Sequence, residues 1–197
     1  MNKLLKKINN IPKSYFSLKD LEKVLDMDKN SLKVALNRAV KAGNIIKLTR
    51  GIYARAGVDL PREHLAVTLY RPSYISLEYA LSYYNILSQQ PYAITLVTTK
   101  RKKELQLQGT PLIYKHIQPS LFWGYTQTED FLLAEPEKAF LDLAYLSLNG
   151  YAEFDPEEMD LEALDPKKIK EYLKKFNSQK LNKKIRAAAP RLFSCDK

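Results

Sequence analysis

Apolar residues recur at helical spacing through the first forty-odd positions and then give way to short β-rich runs. Leu4, Leu5 and Ile8 share one face of a predicted helix over residues 3–9, and Pro12 prevents its continuation because proline lacks the N–H the helix needs. Tyr15-Phe16 is a short apolar extension, expected to pair as a strand with a later hairpin. Ser17 reads as the cap of a second helix, with Asp20 three positions on as a shortened capping box. Leu18, Leu21, Val24 and Leu25 form its buried stripe, and Met27 fits the turn that follows. Asp28 caps a third helix that turns Leu32, Ala35, Leu36, Ala39 and Val40 inward, and Gly43 stands just past its end, where a left-handed residue is wanted. Ile45–Leu48 and Ile52–Ala54 then read as two strands joined by Thr49-Arg50-Gly51, with Gly51 supplying the positive φ of the tip. A short helix followed by a basic hairpin predicts a winged helix-turn-helix over residues 1–57, a common way of presenting a helix to the major groove of DNA.

Beyond residue 57 the pattern is mixed. Gly57 to Pro61 looks like a linker, and Pro61 to Tyr70 reads as either a helix or an irregular arm. Ser73 or Ser76 is expected to cap a helix with Leu77, Ala80, Leu81 and Tyr84 on its apolar face. Ile94–Thr98, rich in β-branched residues, predicts a strand. Shorter strands are expected at Leu105–Gln108, Leu112–Ile117, Leu121–Gly124 and Phe131–Leu133, with a turn at Gly109-Thr110-Pro111. Glu135-Pro136 opens a largely buried helix containing Ala139, Phe140, Leu143, Ala144 and Leu146. Short helices are expected in the acidic stretch 153–165, then a helix from Pro166 to Phe176 and a last one from about Ser178 to Ala189. The expected fold class is α+β: the winged helix-turn-helix, then a mixed α/β domain over 58–197 with a small sheet and a C-terminal helical segment, basic from about residue 166.

Charge sharpens this division. The chain has 197 residues with 32 Lys/Arg and 22 Asp/Glu, a net of +10. Residues 1–57 hold 13 basic and 4 acidic side chains, residues 58–165 hold 8 and 16, and residues 166–197 hold 11 and 2. Basic ends suit a polyanion and an acidic middle does not, which points to at least two functional surfaces. No apolar run approaches the roughly 20 residues that span a bilayer, and the start lacks the apolar centre of a signal peptide. A single cysteine, Cys195, allows no internal disulfide and fits a reducing compartment. The expected setting is therefore cytoplasmic, with no membrane partner.

The third helix carries the strongest local signal. Lys29, Asn30, Lys33, Asn37, Arg38 and Lys41 lie off its apolar face, supplying cations for phosphates and Asn/Arg donors for base edges. Lys47, Thr49 and Arg50 add charge and polarity at the hairpin. An ordinary solvated face is the competing reading, and the adjacent hairpin weighs against it. Lys100, Arg101, Lys102 and Lys103, with Lys183, Lys184 and Arg186 near the end, form a possible second basic surface of lower specificity. His64 and His116 stand far apart with no cysteine nearby, so no zinc spacing exists. There is no Gly-rich phosphate loop, H-E-x-x-H or G-x-S-x-G. An acid-x-Lys nuclease signature fails at Lys138, which has Pro136 two residues before it, and Asp130, Glu135 and Glu137 fit a solvated, dipole-matched acidic patch better than a metal site. No catalytic residue, metal or cofactor is expected.

Three segments of the middle carry a family resemblance. Arg71-Pro72-Ser73-Tyr74-Ile75-Ser76-Leu77-Glu78-Tyr79-Ala80-Leu81 resembles the P-S-Y-I-S-x-x-x-A-L stretch of AbiEi-family antitoxins, the antitoxin halves of type IV toxin–antitoxin systems first met in phage-abortive infection. Val97-Thr98-Thr99-Lys100-Arg101 is similar to the family's V-T-T-x-R element, and Ala134 to Asp142 is similar to its A-x-P-E-K-A-L-L-D helix start. An N-terminal winged helix ending Gly51-Ile52-Tyr53 also fits. The resemblance covers roughly residues 10–148 and leaves the last 50 unmatched. It implies a non-enzymatic antitoxin that opposes a nucleotidyltransferase-like toxin without necessarily forming a stable complex, and that represses its own operon by binding double-stranded promoter DNA. A stand-alone winged-helix regulator without a toxin partner is the alternative, and a metal-dependent nucleic-acid enzyme is a more distant one.

Overall fold

The computed structural model describes residues 3–11, 13–25 and 27–193. The Leu4 side chain, Pro12 and Cys195 lie outside the described residues. The chain divides into two compact units, Met1–Leu65 and Ala66–Lys197. The fold class is α+β, with eight α-helices and two sheets among the described residues. No helix of the described residues is long and apolar enough to cross a membrane.

The first unit is built from α1 (Lys3–Asn9), β1 (Tyr15–Ser17), α2 (Leu18–Leu25), α3 (Lys29–Lys41), β2 (Ile45–Thr49) and β3 (Ile52–Arg55). Local chemistry fixes each boundary. Ser17 and Asp20 cap α2 reciprocally: the Ser17 amide donates to Asp20 Oδ2 at 2.9 Å and the Asp20 amide donates to Ser17 Oγ at 3.2 Å. These bonds hold the Asp20 carboxyl below its ordinary range, the Ser17 amide contributing most. Asp28 caps α3, accepting from the Asn30 and Ser31 amides at 2.9 and 3.0 Å. At the other end Gly43 (φ 73°) closes a Schellman motif, its amide donating to Val40 O and the Asn44 amide to Ala39 O. The sheet runs β1-β3-β2, both pairings antiparallel, with Phe16 opposite Tyr53 and Ile46 opposite Ala54. Thus Tyr15-Phe16 pairs with the hairpin as its sequence suggests. Ile8, Phe16, Leu21, Leu25, Leu32, Leu36, Ile45 and Tyr53 form one core, with Met27 packed against it.

Helix α4 (Arg62–Leu69) covers most of the segment read as helix or arm. In the second unit follow β4 (Ser73–Ile75), α5 (Leu77–Tyr83), β5 (Ile94–Thr98), β6 (Lys103–Leu107), β7 (Thr110–His116), β8 (Tyr125–Gln127), β9 (Leu132–Ala134), α6 (Pro136–Ser147), α7 (Pro166–Phe176) and α8 (Gln179–Ala188). The six-stranded sheet has the order β6-β7-β5-β4-β9-β8 and is mixed: β5–β7 and β4–β9 are parallel, the other pairs antiparallel. Every residue of β5 is buried, as expected for a strand at the centre of a covered sheet. Helices α5, α7 and α8 all pack against α6, which is buried on almost every side.

Two expectations are corrected. Ser73 does not cap a helix but sits in β4, its hydroxyl donating to Val67 O. Ser76 does stand at the N-terminus of α5, yet its hydroxyl makes no capping bond there. The strand expected at Leu121–Gly124 is absent: Pro119–Leu121 forms a 3-10 turn, and the pairing strand starts only at Tyr125, just past the expected range. Pro119 presets the φ of that turn, and Gly124 (φ 72°) takes a left-handed conformation that a strand does not use.

Candidate functional site

Helix α3 presents one continuous polar face. Leu32, Leu36 and Ala39 are buried, whereas Lys29, Asn30, Lys33, Asn37, Arg38 and Lys41 are all exposed. Asn30, Val34, Asn37 and Lys41 stand four, three and four residues apart, which aligns them along the outermost line of the helix. Lys33 and Arg38 flank this line on either side, and Lys29, the first residue of the helix, lies off it, more than a quarter turn round from Asn30. Val34, half exposed at 50%, is the residue the sequence reading passed over. Its spacing from Asn30 and Asn37 was the available signal. A lone apolar side chain among amides and cations can meet a thymine methyl group.

Strand β2 packs against α3 and carries the hairpin beside it. Lys47 and Arg50 are exposed and Thr49 is half-buried. The register shifts between Lys47 and Thr49, an irregularity in the pairing just before the tip. The first unit therefore gathers Asn30, Lys33, Asn37, Arg38 and Lys41 on one face and holds the hairpin residues on an adjoining element. None of Lys29, Lys33, Arg38, Lys41, Lys47 and Arg50 forms an ion pair among the described residues. Exposed cations without an ion pair among the described residues are suited to an external polyanion.

The second basic set is not gathered in the same way. On α8, Lys184 donates to Ser147 Oγ at 2.8 Å and lies over the Phe154 ring, and Arg186 stacks on Phe193 at 4.4 Å. Both side chains serve the packing of the helix, and Lys183 is left exposed. Lys100, Arg101, Lys102 and Lys103 belong to the β5–β6 connection and the start of β6. Among the acids, Glu135 accepts from Tyr172 OH at 2.5 Å and from Lys168 at 3.1 Å, and Glu137 accepts from the Asp165 amide. Burial pushes the Glu135 carboxyl up, but the Tyr172 and Lys168 bonds outweigh it and hold the group below its ordinary range. The acids thus fasten α7 to the start of α6. No group of three or more His, Cys, Asp or Glu side chains able to hold a metal ion occurs among the described residues.

The interior of the second unit holds a polar network that the sequence did not announce. Lys138 and Asp142, one turn apart on α6, are both fully buried and form an ion pair. Tyr74 in β4 and Ser76 just after it each donate a hydroxyl to Asp142 Oδ2 at 2.9 Å, and Lys138 Nζ also donates to Tyr74 OH at 2.8 Å. Around the ammonium stand the rings of Tyr74, Trp123 and Phe176, at 5.4, 5.0 and 5.1 Å. Burial drives the Lys138 ammonium below its ordinary range and the Asp142 carboxyl above its own, against their mutual attraction. Gly124 gives the lysine stem room: a Cβ there would stand 3.0 Å from Lys138 Cγ. The segments 71–81 and 134–142 thus meet in this network, and Thr98 of the third resembling segment donates to Pro72 O at 2.6 Å, tying it to the same place. Fully paired and closed to water, the network is suited to specifying the packing of β4 on α6 rather than to turnover.

No protein-family model and no curated protein matches the sequence.

Proposed function

We propose that the chain is a DNA-binding antitoxin: a winged helix-turn-helix in the first unit binds double-stranded promoter DNA and represses its own operon, and the second unit opposes a nucleotidyltransferase-like toxin. The observation that carries the DNA reading is the exposed polar face of α3 with the basic hairpin on the strand packed against it. In this reading α3 is the recognition helix, with Asn30, Asn37 and Arg38 reading base edges. Lys29, Lys33 and Lys41 contact phosphates, and Lys47, Thr49 and Arg50 form the wing. The antitoxin role rests on the resemblance of residues 71–81, 97–101 and 134–142. The protein needs no cofactor for either role and works in the cytoplasm.

Changing Lys33 to Glu and Asn37 to Ala together is expected to abolish the gel shift of promoter DNA while the circular dichroism spectrum stays that of the wild type. Both side chains are exposed, so the fold does not depend on them. An unchanged shift contradicts the assigned face. For the second role, co-expression with the neighbouring gene product is the test. Rescue of growth by the wild type, and equally by the Lys33→Glu/Asn37→Ala variant, is the expected result. A neighbouring product that is not toxic, or toxicity that the wild type does not relieve, removes the antitoxin reading and leaves a stand-alone regulator.

A further inference from the structure

The basic run at 100–103 is not a loose solvated loop. Tyr70 OH donates to Arg101 O at 3.0 Å, the Lys100 amide donates to Thr98 Oγ1, and His116 Nδ1 donates to Lys100 O at 2.9 Å. Lys100 and Lys103 lie over the Tyr70 ring at 5.4 and 4.8 Å. The backbone of the run is therefore fixed before any ligand arrives, which lowers the ordering cost of binding.

This run forms one wall of a cleft of about 570 Å³ at the edge of the six-stranded sheet. Lys102 lines it from the β5–β6 connection, Lys103 from the start of β6, Lys115 and His116 from β7, and Tyr151 from the turn after α6. Lys115 Nζ donates to Tyr151 O at 2.7 Å, which fixes that turn against the sheet. Tyr151 is 58% exposed, and its ring has no ring partner among the described residues. Glu104 is the single acid of the lining, and none of the three lysines forms an ion pair among the described residues. Because His116 Nδ1 faces a carbonyl, which only accepts, Nδ1 carries the hydrogen and Nε2 is the nitrogen left for a ligand.

Fixed cations beside an open aromatic face are what a single nucleic-acid strand requires: phosphates for the ammonium groups and an unpaired base for the ring. A duplex keeps its base faces stacked and offers Tyr151 nothing to stack on. The volume lies within the range of roughly 300–1,000 Å³ typical of small-ligand sites. We propose that this cleft binds a single-stranded nucleic acid, with one base stacked on Tyr151, its phosphates held by Lys102 and Lys115, and His116 Nε2 accepting a hydrogen bond from a sugar hydroxyl or base amino group. The site lies wholly in the second unit and goes beyond the duplex-binding reading of the first.

The test uses the full chain with Lys33→Glu/Asn37→Ala already in place, so that the duplex-binding face of the first unit is disabled and the two readings fail separately. Anisotropy of a labelled twelve-nucleotide single strand is followed with and without further substitutions. Tyr151→Ala is expected to weaken binding about ten-fold, within what loss of one stacked base causes. Tyr151→Phe, which keeps the ring, is expected to bind as the parent does. Lys102→Glu weakens binding and Glu104→Gln tightens it. On adding the strand, the ring resonances of His116 shift and those of His64 do not, and unlabelled duplex competes poorly. Equal binding by the Tyr151→Ala and Tyr151→Phe proteins overturns the proposal, as does an unmoved His116 signal or a duplex that competes as well as the single strand.

Discussion

Replacing Lys138 with methionine is expected to destabilise the second unit by about 3–5 kcal/mol, the usual cost of leaving a buried charge without its partner. On a unit of this size that corresponds to a fall in Tm on the order of 10 °C. Methionine has the length to fill the space between Trp123 and Phe176, so little of the loss comes from packing. The loss comes from Asp142, which keeps the Tyr74 and Ser76 hydroxyls but loses the ammonium. Two further results identify the cause. Lys138→Met/Asp142→Leu should lose less than the sum of its single changes, since it leaves no buried charge. The deficit of Lys138→Met should also shrink as the pH falls. Burial already raises the Asp142 carboxyl above its ordinary 3.8, and the attraction of Lys138 opposes that rise. Without Lys138 the rise grows, so the folded state binds more protons than the unfolded one between the raised value and 3.8. Stability therefore increases as the pH drops through that window. Denaturation of the three proteins between pH 4 and 8 measures this, and a deficit independent of pH contradicts the account.

The first unit was largely legible in the sequence because its signals are local. Ser17/Asp20, Asp28 and Gly43 mark helix ends through bonds made within a few residues, and the 3.6-residue period of α3 separates Leu32, Leu36 and Ala39 from the cations. The second unit was legible only in part. Strand β4 has three buried residues and no alternation, so Ser73 and Ser76 read as caps instead. Its partners β5 and β9 lie about 20 and 60 residues away in sequence, and the pairing is set by packing that no local pattern encodes. The same holds for the Phe122-Trp123 run, which has strand composition but a glycine in a left-handed conformation beside it.

The Lys138–Asp142 pair left a signal that went unused. Lys138 and Asp142 stand four residues apart in a helix whose other positions are almost all apolar. A helix apolar on every side is buried, and polar residues inside it must be paired. What the spacing does not give is the remaining partners, Tyr74 and Ser76, more than 60 residues away. The basic cleft was half legible. Lys100–Lys103 stands out in the sequence, whereas Lys115, His116 and Tyr151 join it only through the pairing of β7 and the return of the chain after α6.

The largest effect expected of the first unit is its response to salt. Lys29, Lys33, Arg38, Lys41, Lys47 and Arg50 are exposed and carry no ion pair among the described residues. If Lys29, Lys33, Lys41, Lys47 and Arg50 meet phosphates, each releases condensed counterions, and the logarithm of the association constant falls with the logarithm of salt with a slope of about −4.5. Between 50 and 200 mM salt this amounts to a loss on the order of a thousand-fold. Lys33→Glu/Asn37→Ala removes one of these contacts and places a repelling charge beside the others. Its residual binding should be weak at every salt concentration and its slope shallower by about one to two. A hydrophobic or specifically hydrogen-bonded surface has no such dependence, so the slope separates the readings even before an operator is known.

The most direct measurement is therefore a salt series of duplex-DNA binding, followed by anisotropy, for the wild type and for Lys33→Glu/Asn37→Ala. A steep slope of about −4.5 for the wild type and a weaker, shallower one for the variant is the result the α3 face and the hairpin predict. A flat wild-type slope, or the same affinity and slope for both proteins, contradicts it.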